Sequence, residues 1–190
     1  MQTLSQTNLK KALRKLSTPW TSMDQVEATL SALQDESDRG VMLLVATQLE
    51  DALTHYVSVR LDGLTIAERE GFLGPDGPAG AFGVKIKLAA GMKIIHRRAY
   101  DALEVVRHIR NASAHALHPI TFDTPIVKQA VLALLPPDER DKVKDQNAEF
   151  VRLIFRMACL EILNSFARLD GPGGGLQLLT RDPDELDPEY

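Results

Sequence analysis

Residues 107–118 read RHIRNASAHALH and hold His108, His115 and His118, three of the chain's five histidines, beside Arg107, Arg110 and Asn111. Three kinds of chemistry suit these side chains. In the first, a histidine exchanges a proton near neutral pH while an arginine, always charged, stabilises a phosphorane-like transition state. RNA brings its own nucleophile, the 2′-hydroxyl, so such groups suffice for cleavage without a metal. In the second, His108, His115 and His118 hold a metal ion. No cysteine or nearby acid completes that ligand set, and Pro119 disturbs its geometry, so neither metal nor cofactor is expected. In the third, the cluster is structural: Arg110 pairs with a carboxylate, Asn111 bonds backbone, and the histidines favour the negative end of a helix.

The cluster must be positioned by the helix predicted over 98–115, which is drawn out to 117 on a wheel. On a wheel of about 100° per residue, Ala102, Leu103, Val106, Ile109, Ser113 and Leu117 share one arc. Glu104, His108, Asn111 and His115 share the opposite one. Arg110 falls at the edge of the apolar arc, where a permanent charge needs a partner. Glu50 and Asp51, in the helical stretch 40–61, are the candidate carboxylates to orient it. Arg110 and His115 lie about 140° apart on the wheel, and the reach of arginine can bring both into one cleft.

Helical periodicity recurs along the chain. Val26, Leu30 and Leu33 form a stripe over 23–34, and Asp38 is placed to cap the helix that follows. In that helix Leu43, Ala46, Leu49, Leu53 and Val57 recur at three- and four-residue spacing with few polar residues early on, which predicts a central helix. Glycine at 71, 74, 77, 80 and 83 marks a structured turn, with no Gly-Lys-Ser/Thr of a phosphate loop. A small anion site ahead of Lys85 and Lys87 is an alternative use of those glycines. Helices are predicted over 81–95, 122–135 and 146–169, with Asp123 or Thr124 as N-cap and Pro125 in the first turn of the second. In the third, a long amphipathic helix, Phe150, Leu153, Ile154, Met157, Ala158, Leu160, Ile162 and Leu163 read as the apolar face. Residues 136–140, PPDER, read as a break. No strand ladder is legible, so the expected fold is an all-α, single-domain bundle of six or seven helices over 1–170. Residues 1–20 form a basic N-terminal segment of it, and 171–190 a flexible acidic tail.

Composition sets limits on function. The chain has 190 residues, 44% hydrophobic and 25% charged, long enough to bury a core without staples. Its single cysteine, Cys159, excludes an intramolecular disulfide and lies in an apolar run that suits core packing. A net charge of −4 gives no global attraction for nucleic acid. Charge is uneven, since Lys10, Lys11, Arg14 and Lys15 sit among the first sixteen residues without an acid, while the last ten hold five acids. The N-terminus lacks the apolar run of a secretory signal and no stretch approaches a membrane span, so a cytoplasmic location with no membrane partner is expected.

RNASAH (110–115) is an Arg-x4-His motif with asparagine directly after the arginine, and it resembles the motif of HEPN domains. That likeness implies a helical bundle, dimeric, with Arg110 and His115 as the pair for metal-independent RNA cleavage, Asn111 beside them and Glu50 or Asp51 orienting Arg110. The longer stretch FLGPDGPAGAFGVKIKLAAGMKIIHRRAYDALEVVRHIRNASAH (72–115) resembles the mannitol operon repressor family, a likeness that extends over 38–169. It implies an all-α transcriptional regulator, a homodimer, without a recognised DNA-binding motif. No basic recognition helix is legible. The primary expectation is therefore regulation through a protein partner, and the alternative is a HEPN-type, toxin-like ribonuclease acting on RNA.

Overall fold

In the computed structural model, residues 33–167 are described, and among them every regular element is a helix. The predicted helix 23–34, the basic segment 1–20 and the acidic tail lie outside the described residues, apart from the last two residues of that helix. Seven helices follow one another: α1 (Asp38–Arg60), α2 (Ile66–Leu73), α3 (Phe82–Gly91), α4 (Arg97–His115), α5 (Pro125–Leu132), α6 (Pro137–Val143) and α7 (Ala148–Ala167). The all-α bundle expected from periodicity is what the described residues form.

α1 is the hub and packs against α3, α4 and α7. Its buried residues include Val41, Met42, Val45, Leu49, Leu53 and Val57, so the apolar stripe is wider than the sequence spacing suggested. Such a stripe can face several neighbours at once. The N-cap is Ser37, whose hydroxyl accepts from the Gly40 amide at 3.0 Å. Asp38, the expected cap, is instead the first helical residue. Its carboxylate accepts from the Phe122 amide at 3.0 Å and from Arg152 of α7 at 3.1 Å. Arg152 also donates to the carbonyls of Leu33 (2.6 Å) and Glu36 (2.8 Å), tying the lead-in to α1 onto α7.

Two elements were not foreseen. α2 starts at a capping box in which Thr65 accepts from the Glu68 amide and Glu68 accepts from the Thr65 amide, so orphan donors are satisfied reciprocally. α6 occupies the stretch expected to be a break. Its Pro137 sits in the first turn, where the missing N–H costs nothing, and Arg140 reaches back to the carbonyls of Ala133 and Leu135 beyond α5. α3 and α5 are shorter than predicted. The glycine-rich segment is a compact turn: the Gly77 amide donates to Gly74 O at 2.9 Å and the Ala79 amide to Phe72 O at 2.9 Å. A Cβ at Gly77 would collide with the carbonyl oxygens of Gly71 and Phe72.

α7 departs from its predicted orientation. Val151, Ile154, Phe155, Cys159 and Leu163 are buried, whereas Phe150, Leu153 and Met157 are 36%, 48% and 56% exposed. This helix is apolar on both sides, so periodicity alone did not distinguish its inner face. Inside, Phe122 meets Phe155 at 5.5 Å and Tyr56 stacks on Phe166 at 5.3 Å. Burial pushes the Cys159 thiol far above its ordinary range, as befits a small core side chain.

Candidate functional site

Three mutually packed helices, α1, α3 and α4, bring Glu50, Lys85 and Arg110 together. Glu50 follows the buried Leu49 and stands at the rim of the α1 stripe. Its Oε1 accepts from Lys85 Nζ at 3.1 Å, and its Oε2 lies 3.8 Å from Arg110 Nη2. Lys85 is only 7% exposed, a burial tolerable for an ammonium because Glu50 is beside it. Arg110 follows the buried Ile109, is 37% exposed at its side chain, and donates from Nη1 to Asn111 Oδ1 at 3.2 Å.

Glu50 and Asp51 are thus divided between two tasks. Glu50 faces Arg110, while Asp51 makes no ion pair among the described residues and opens toward α2. Burial and the neighbouring Glu50 push the Asp51 carboxyl above its ordinary range, with Lys85 pulling the other way. The sequence pointed to the Arg110 partner but not to Lys85, the nearer cation on Glu50. Its signal was faint: Lys85 stands between Val84 and Ile86, in the apolar half of a short helix.

Along the outer face of α4, Glu104 receives a bidentate contact from Arg107, at 2.7 Å and 3.3 Å. That contact is the main reason its carboxyl is held below the ordinary range. His108 Nε2 lies 3.0 Å from Arg107 Nη2 and 3.9 Å from Glu104. The i, i+3 spacing of Glu104 and Arg107 was readable in the sequence as a helix-surface pair.

α4 ends at His115, where the 98–115 periodicity ends it, and Leu117, drawn on the apolar arc of the extended wheel, is 96% exposed instead. His115 and His118 are exposed. The C-terminal carbonyls are satisfied from elsewhere: Arg39 of α1 donates to Ala114 O at 3.1 Å and Ala116 O at 3.4 Å. The cation serving the end of this helix is therefore an arginine from a distant part of the sequence rather than a local histidine. At its start, His96 Nδ1 accepts from the Ala99 amide at 3.3 Å. Among the described residues no three His, Cys, Asp or Glu side chains are placed to hold a metal ion.

Chemically, the Glu50–Lys85–Arg110 group sets two cations on one carboxylate, at a half-exposed guanidinium flanked by an amide and, farther along α4, an exposed imidazole. It can clamp three helices, or offer an anion one guanidinium edge. Comparison of the chain with protein-family models, curated proteins and solved structures finds no match in any of the three. No described helix is long and apolar enough to cross a membrane.

Proposed function

We propose that this protein is a cytoplasmic transcriptional regulator of the mannitol-repressor type that acts as a homodimer through contacts with a protein partner rather than by reading DNA itself. The observation that carries this reading is the apolar stripe on the outside of α7. Phe150, Leu153 and Met157 recur at the spacing of one helix face and stand open, on the side away from the core. Contiguous exposed apolar surface of this kind suits protein association. In this reading Arg110, Glu50 and Lys85 hold α1, α3 and α4 in register, and Asn111 and His115 are not catalytic.

A second reading draws on Arg110, which is partly exposed and shares its carboxylate with Lys85. In a HEPN-type ribonuclease, His115 would take the proton from the 2′-hydroxyl as O2′ attacks phosphorus. Arg110 would stabilise the added charge, and the 5′-oxygen would leave with a proton, giving a 2′,3′-cyclic phosphate. Asn111 would help orient Arg110.

One experiment separates the two. A strain lacking the gene, with a reporter on the adjoining promoter, is complemented with wild type, Arg110→Ala, His115→Ala or Leu153→Glu. Regulation restored by the Arg110 and His115 variants and lost with Leu153→Glu is the expected result. Loss with the first two alone, with RNA cut by purified wild-type protein in EDTA, would replace the regulatory reading with the nuclease.

A further inference from the structure

α1 and α2 flank an open cleft of about 530 Å³ that Asp51 lines. Asp51, Thr54, His55 and Ser58 line it at i, i+3, i+4 and i+7, one stripe of α1, and Arg69 and Glu70 face them from α2. This polar stripe is the reverse of the helix's core face.

Charges of both signs line this cleft without pairing. Asp51, Arg69 and Glu70 form no ion pair among the described residues, although α1 and α2 pack together. Arg69 is anchored by one contact, Nη1 to Ser58 O at 3.1 Å, and its Nε is buried without a hydrogen-bond partner. A guanidinium fixed at one corner with most of its donors uncommitted is suited to a carboxylate. The Thr54 hydroxyl donates to Glu50 O at 2.6 Å, which leaves its lone pairs to accept from a ligand. Asp51 is destabilised in its charged form by burial and by Glu50, so an arriving cation would relieve an existing cost.

We propose that the α1–α2 cleft binds a small zwitterion of the amino-acid type, with its carboxylate on Arg69 and its ammonium on Asp51. Both signs are required because both are present and unmatched. Glu70 adds to the acidic side, and the cleft has room for a modest side chain beside Leu73. This inference stands apart from the regulatory reading, since it concerns binding alone.

The test uses the full chain and titrates each neutral L-α-amino acid separately, by calorimetry and by the NMR shift of the His55 ring protons. The N-acetyl and carboxamide forms of each are run in parallel. Saturable binding by at least one free amino acid is expected, weakened about tenfold to a hundredfold when either charge is capped. Arg69→Gln and Asp51→Asn should each weaken it to a similar extent, with circular dichroism confirming an intact helical fold. Equal binding of free and capped forms, or unchanged affinity in folded variants, would overturn the proposal. So would the absence of saturation with every amino acid up to about 10 mM.

Discussion

Glu50 carries the largest electrostatic burden of any single side chain in the cluster, because the ammonium it faces is buried. Glu50→Ala strands Lys85 without a counter-charge and should lower the unfolding free energy by about 3 kcal/mol in urea titrations. Replacing both partners, Glu50→Gln with Lys85→Met, should recover most of that loss. Arg110→Ala should cost less than about 1 kcal/mol, since its contact with Glu50 is longer and partly solvated. Asp51 behaves in the opposite sense. Its carboxyl is raised in the folded chain, so the folded state holds its proton more tightly than the unfolded state does. The stability this confers is present at acid pH and lost as pH rises through the folded value. Asp51→Asn should therefore be more stable than wild type at neutral pH, with the gain shrinking as pH falls through the raised folded value and gone below the ordinary carboxylate range. Denaturant melts across pH check this. A substitution that stabilises the fold while weakening binding of the proposed ligand is the behaviour expected of a functional side chain.

At the scale of elements, the glycine turn between α2 and α3 is the sharpest constraint. Gly77→Ala places a methyl group against two backbone carbonyls that cannot rotate away, and should cost about 2 kcal/mol or more. Gly91→Ala, at the end of α3 with open space around it, should be neutral or stabilising by up to about 1 kcal/mol. A pair of thermal melts suffices to compare them. The long helices were legible because their apolar periodicity spans several turns. α2 is signalled in the sequence only by the Thr65 and Glu68 capping box at its start. α6 was hidden by its prolines, which mark a helix start as readily as a break. α7 is legible as a helix, but spacing does not mark its inner face, because Phe150, Leu153 and Met157 are as apolar as the residues that pack.

At the scale of the whole molecule, the outer stripe of α7 bears on assembly. If the proposed homodimer forms through this stripe, Leu153→Glu should convert it to a monomer in sedimentation analysis, with little change in helix content, because Leu153 is 48% exposed in the single chain. An unchanged mass would mean that α7 is not the dimer surface. The apolar spacing of 40–61, 98–115 and 146–169 determined by itself that the chain is helical, that α1 is central and that Arg110 needs a carboxylate. Those conclusions rest on local periodicity and on the cost of burying an unpaired charge. Only the tertiary structure decided that Glu50 rather than Asp51 faces Arg110, that Lys85 is buried beside it, and that Arg39 serves the end of α4. Each of these depends on which faces of distant helices meet, and that is set by three-dimensional packing rather than by spacing along any one helix.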